Sequence, residues 1–191
     1  MEKVKRYDRV LGLGFGVLTL ALIIFVFTNE SFFNWAYERH QNLLSWYIRP
    51  LFILPFCYFA YKRSWAGIWG TIFFLLTSMF WFSKPDSASE QVKQFLEMEK
   101  KYLSGDWGLA KILIALLIPV SFVVLGTAFW KRNLWFGISV VVFVAVAKMI
   151  WSVAFGGEAG KSIFMPAIIG LIICIGLIYL GFRKLEKEKK D

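Results

Sequence analysis

Two cations in this chain stand among residues that cannot solvate them. Lys148 closes the apolar run 140–147, and Arg49 lies six residues beyond Leu43, inside the next apolar stretch towards the N-terminus but two. If both stretches cross a membrane, each charge costs about 2.5–3.5 kcal/mol near the midplane and less towards the surface. An acidic partner, a long stem reaching the surface, or a bound anion can offset that cost. No Asp or Glu occurs within any apolar stretch, so the sequence offers no fixed ion pair inside the hydrocarbon. Snorkelling and a polar cavity remain. Arg49 and Lys148 stand 13 and 16 residues before and after the basic pairs Lys62-Arg63 and Lys131-Arg132. At the helical rise these are heights of about 20 and 24 Å, so both fall in the outer half of a bilayer. Ser152 lies one turn beyond Lys148, and Ser78 matches Lys148 at an offset of 70. Arg49, Lys148, Ser78 and Ser152 are therefore the candidate ligand-binding set. Their ligand would be a small anionic or amphipathic molecule, such as a carboxylate or lipid phosphate, in one outward-facing cavity. Lys148→Met should then weaken ligand retention and leave the fold intact.

Other chemistry is thin. Gly156-Gly157-Glu158-Ala159-Gly160-Lys161-Ser162 suggests a phosphate loop, but the required spacing puts its first glycine at Phe155. Gly12, Gly14 and Gly16 sit within an apolar run, where Gly12 and Gly16 would admit a closely packed helix rather than a dinucleotide. His40 is the only histidine, which excludes paired haem ligation, and no metal site has enough ligands. It reads as a surface residue of an interfacial helix. Cys57 and Cys174 fall in apolar stretches as small packing residues. Glu38 near His40, and Glu158 in the last outer loop, are the only acid–base candidates. No catalytic residues, metal or cofactor are expected.

These residues must be held by membrane helices. The 191 residues are 58% hydrophobic and 18% charged, with mean hydropathy +0.59. Too few polar groups exist to cover a soluble globule, and two cysteines cannot staple one. Apolar stretches long enough to span fall at about 10–28, 43–61, 64–82, 107–130, 134–155 and 162–182. The first is too long for a signal-peptide core and lacks a small-residue cleavage pattern, so it reads as a retained span. The expected fold is an all-α integral membrane protein, one polytopic domain over residues 1–191 with six transmembrane helices.

Charge orients them. With both termini cytoplasmic, 13 cations, including Lys62-Arg63 and Lys131-Arg132, face five acids inside, while seven face eight outside. That is the positive-inside pattern of a cell-membrane protein. The charge of +9 then belongs to topology and anionic lipid, not nucleic acid. Outside the membrane, residues 29–41 suit an interfacial helix. Residues 87–104 suit an amphipathic one, opened by a capping box at Ser87-Ala88-Ser89-Glu90 and carrying Val92, Phe95, Leu96, Tyr102 and Leu103 on one face.

The chain also resembles itself. Pro50, Lys62, Arg63, Trp65, Gly67, Ile68, Phe73, Met79 and Trp81 recur as Pro119, Lys131, Arg132, Trp135, Gly137, Ile138, Phe143, Met149 and Trp151. Helices two and three would thus repeat as four and five, with Pro50 and Pro119 as kinks. Three functions fit: a transporter or ligand-binding membrane protein; a non-catalytic accessory or immunity-type subunit packed on a membrane partner or a second copy; and an enzyme using outer Glu and His residues. Membrane lipid is a partner in all three.

Overall fold

The structure, a computed structural model, describes residues 2–187, with side chains over 5–185. Among the charges assigned above to the inner side, Glu188, Lys189, Lys190 and Asp191 lie outside the described residues, as do the side chains of Glu2, Lys3, Glu186 and Lys187. The chain is all-helical, with no strand among the described residues. Four stretches are long and apolar enough to cross a membrane: Lys5–Thr28, Leu43–Lys62, Leu109–Trp130 and Leu134–Leu185. Trp65–Phe80 is a further apolar helical stretch, but shorter. The helices form two compact units, Met1–Ala88 and Ser89–Asp191.

In the first unit, α1 (Glu2–Thr28) is followed by the short α2 (Glu30–His40), then α3 (Leu43–Leu51), α4 (Ile53–Lys62) and α5 (Trp65–Thr77), which tightens into a 3₁₀ turn over Ser78–Phe80. The stretch expected as one span at 43–61 is thus two helices. The break falls at Phe52, and its cause is Pro55 rather than Pro50. Pro55 has no N–H to offer the Leu51 carbonyl four residues back, where α3 ends. Pro50 itself lies inside α3.

α1 and α5 run parallel. The Asp8 carboxylate, near the start of α1, accepts from Ser64 Oγ and from the Trp65 and Ala66 amides at the start of α5. Above it, a Cβ on Gly12 would lie 2.8 Å from the Trp65 backbone. Gly16 faces the Trp69 ring, and Phe15 packs on Gly70, Phe73 and Phe74. Gly12 and Gly16 therefore do what their spacing suggested, letting two backbones approach where lipid supplies no hydrophobic drive. α4 turns into α5 through Arg63, whose φ of 58° is left-handed. Ser64 N donates to Phe59 O and Arg63 N to Ala60 O, closing the last turn of α4. Phe59 then lies directly over Gly67, where its ring leaves no room for a Cβ.

The second unit begins with α6 (Glu90–Ser104), then α7 (Leu109–Trp130), α8 (Leu134–Gly156), a 3₁₀ segment over Gly157–Ile163, and α9 (Phe164–Lys187). Ser89 caps α6 by accepting from Val92 N, so the helix starts later than the Ser87 box implied. Val92, Phe95 and Leu96 are buried, as their stripe predicts. Pro119 sits within a continuous α7. The α7–α8 turn uses Arg132 at φ 60°, with Asn133 N donating to Ala128 O and Arg132 N to Phe129 O. Phe129 covers Gly137. α9 returns antiparallel to α8: Tyr179, near its end, stacks on Trp135 at the start of α8 at 6.1 Å, and Phe182 meets Phe129 at 4.9 Å. The segment between them is drawn tight, because Gly160 rests on the Ser152 carbonyl with no room for a Cβ.

Gly12→Ala should lower thermal stability in detergent by about 1–3 kcal/mol, since a methyl cannot enter the α1–α5 contact without moving backbone. Gly14→Ala, which meets nothing within 4 Å, should be neutral or stabilising by up to about 1 kcal/mol. Equal melting shifts for the two variants would remove the close-packing argument.

Candidate functional site

The four residues singled out by sequence divide between the units: Arg49 and Ser78 in the first, Lys148 and Ser152 in the second. Both serines are fully buried with their hydroxyls bonded to main chain. Ser78 Oγ donates to Leu75 O at 2.6 Å. Ser152 Oγ lies 2.8 Å from Met149 O and 3.1 Å from Gly160 O, tying the 3₁₀ segment to α8. Those bonds give both serines a structural use.

Arg49, half-buried on α3, meets a residue that sequence placed at the surface. His40, the last residue of α2, is 6% exposed. Its Nε2 lies 3.2 Å from Arg49 Nη1, its Nδ1 2.8 Å from Ser45 Oγ, and its carbonyl accepts from Trp46 Nε1 at 2.8 Å. A guanidinium only donates, so Nε2 must accept. Ser45 Oγ in turn donates to Asn42 O at 2.8 Å. The ring is therefore neutral with its proton on Nδ1, in a directional chain from Arg49 through His40 and Ser45 to the backbone. Asn42 caps α3 by accepting from Leu44 N and donates to Ser83 O, while Arg39 Nε donates to Phe80 O. α2, α3 and the end of α5 are thereby locked together by polar groups. Only the spacing of His40, Ser45 and Arg49 around the Asn42 cap signalled this chain.

Lys148 also has a partner, and it comes from outside the spans. Glu99, on the face of α6 turned to α8, lies 3.3 Å from its ammonium, with side-chain exposures of 50% for Lys148 and 19% for Glu99. The expectation that no acid could serve Lys148 holds for the spans but overlooked the amphipathic helix beside them. The ammonium also stands 4.6 Å over the Trp151 ring and 5.9 Å over Phe95. Trp151 packs edge-on to Tyr102 at 5.4 Å. Trp151 Nε1 and Tyr102 Oη are both buried and make no hydrogen bond within the protein. Along α8, Phe143, Val146, Ala147, Ile150, Trp151, Ala154 and Phe155 line an open apolar hollow of about 400 Å³.

The acid–base candidates are otherwise engaged. Glu38 pairs with Lys84 at 3.3 Å and Glu158 with Lys161 at 2.7 Å, both exposed. Cys57 and Cys174 are buried free thiols. Among the described residues, no three His, Cys, Asp or Glu side chains come together to hold a metal ion. No family model matches the chain, and neither a curated protein nor a solved structure matches it.

The single imidazole makes the first cluster directly observable. Nitrogen-15 spectra of the ring should show the Nδ1–H tautomer, and Arg49→Met should shift it towards a mixture by removing the donor to Nε2. An Nε2–H tautomer in the unsubstituted protein would rule out the Arg49 contact.

Proposed function

We propose that the chain is a six-span cell-membrane protein with both termini cytoplasmic, and that it binds an amphipathic anion from the outer side at Lys148. One juxtaposition carries the ligand reading: an ammonium beside an apolar hollow, with Trp151 shared between them. A molecule with a charged head and an apolar body matches both parts. Trp151 Nε1 and Tyr102 Oη, two donors without acceptors, suit headgroup oxygens. Glu99 is the internal counter-ion that such a headgroup would displace. Arg49, in the other unit, is held by His40.

The six spans rest on three further points. α8 and α9 lie antiparallel, and each is about 35 Å long, so their joint stretch accommodates two crossings. α5 is short but runs parallel to α1, a full-length span. The basic turns at Lys62-Arg63 and Lys131-Arg132 suit the inner side. A tandem origin for the hairpins is supported by the left-handed arginine in each turn and by an aromatic ring covering a glycine eight residues later, Phe59 on Gly67 and Phe129 on Gly137. The copies diverge upstream, where Pro55 interrupts one descending helix and Pro119 leaves the other continuous.

Orientation is tested by labelling intact cells with an impermeant maleimide. Ser87→Cys should react, and Lys184→Cys should react only after lysis; the opposite pattern overturns the orientation, and labelling of both overturns the span count. For the ligand, Lys148→Met alone is unsuitable, because it would strand the Glu99 carboxylate and destabilise the unit. Lys148→Met combined with Glu99→Gln removes both charges. Native mass spectrometry of the purified protein should show an amphipathic anion retained, and largely lost in the double variant. Retention unchanged by the double variant would sink the site.

A further inference from the structure

We propose a second, separate site: the seam between α1 and α5 holds the headgroup of an anionic phospholipid against Arg9. A hollow of about 250 Å³ opens there, lined by Arg9, Gly12, Leu13, Trp65 and Trp69. It exists because Gly12 carries no side chain at the point where α1 meets the α5 backbone, while Trp65 and Trp69 of α5 line the hollow.

Its electrostatics are one-sided. Asp8 fixes the start of α1 to the start of α5, and α4 ends in the turn beside it, so Lys5, Arg6, Arg9, Lys62 and Arg63 crowd one end of the unit, all exposed. Among the residues whose side chains are described, Asp8 is the acid at that end. Both of its oxygens are taken up by the α5 N-terminus. Arg9, the next residue, makes no ion pair or hydrogen bond among the described residues, and the Trp69 indole N–H has no partner either. A guanidinium fork and an indole N–H are the donors that a phosphodiester needs.

The apolar surroundings select a lipid over a soluble phosphate. Leu13, Val17 and Leu20 follow Arg9 along the same side of α1, exposed by 71%, 58% and 59%. An acyl chain can lie along that stripe while its phosphate meets Arg9. Exposed tryptophan at the mouth of such a site is the usual neighbour of lipid headgroups. This inference does not depend on the outer ligand. Only the assignment of the lipid to the cytoplasmic leaflet rests on the topology proposed above.

The test uses the full chain in a neutral detergent, titrated in native mass spectrometry with phosphatidylglycerol and with phosphatidylcholine of the same acyl chains. Phosphatidylglycerol should bind more tightly, and Arg9→Gln should weaken it about fivefold or more. Lys5→Gln, outside the hollow, should change it less than about twofold, and in the Lys148→Met/Glu99→Gln background, where the outer site is removed, the loss caused by Arg9→Gln should be the same. Equal binding of the two lipids, or equal losses in the Arg9 and Lys5 variants, overturns the site in favour of diffuse attraction. Displacement by glycerol 3-phosphate at comparable concentration overturns the lipid occupant. Should Arg9→Gln fail to fold, Trp69→Phe removes the N–H and keeps the ring volume; phosphatidylglycerol binding unaffected by that change also overturns the proposal.

Discussion

A helix that begins in apolar surroundings presents N–H groups that only the protein can satisfy, and this constraint shapes how five of the helices begin. α2, α3, α5, α6 and α8 each open behind an Asn or Ser whose side-chain oxygen accepts one of those groups: Asn29, Asn42, Ser64, Ser89 and Asn133. α5 needs more, because its first turn lies against α1, and there Asp8 adds a carboxylate from another helix. At the opposite ends, α4 and α7 finish on left-handed arginines. Glycine would adopt that backbone about 1 kcal/mol more easily. Arginine brings instead a cation at the negative end of the helix.

The same accounting governs the two isolated cations, with different solutions. Arg49 finds a neutral acceptor. The imidazole of His40 takes its proton donor without adding charge, and its other nitrogen passes the polarity on to a backbone carbonyl. Lys148 finds a carboxylate, but one borrowed from α6, and half of its side-chain surface stays exposed. The first arrangement is closed and holds short helices together. The second is open, borders an apolar hollow, and has two unsatisfied donors close by. That contrast is why binding is proposed at Lys148 and scaffolding at Arg49.

Local signals carried the helices well. Apolar length marked α1, α7, α8 and α9, the Gly12–Gly16 spacing marked a close contact, and the stripe through Val92, Phe95 and Leu96 marked the buried side of α6. What escaped was pairing between distant segments. Nothing in the sequence neighbours of Glu99 points to Lys148, 49 residues away. Asp8 stands among Lys5, Arg6 and Arg9 in sequence, and its role as a cap is defined by residues more than fifty positions away. His40 was assigned to the surface on its residue type, though it ends a helix that three polar contacts fold inward. Pro55 is a different failure. Its effect falls four residues earlier, on Leu51, and the more obvious Pro50 drew the kink.

The parallel pairing of α1 with α5 has a consequence for how the protein is made. Adjacent antiparallel helices can associate as soon as the second leaves the ribosome. Gly12 must wait for Trp65, 53 residues later, and at ordinary elongation rates that delay is about 3–10 s. During it, the glycine face of α1 has no mate and Asp8 has no helix end to cap. α1 is thus secured only after α2, α3 and α4 have been made, and the first unit closes only when its final helix arrives.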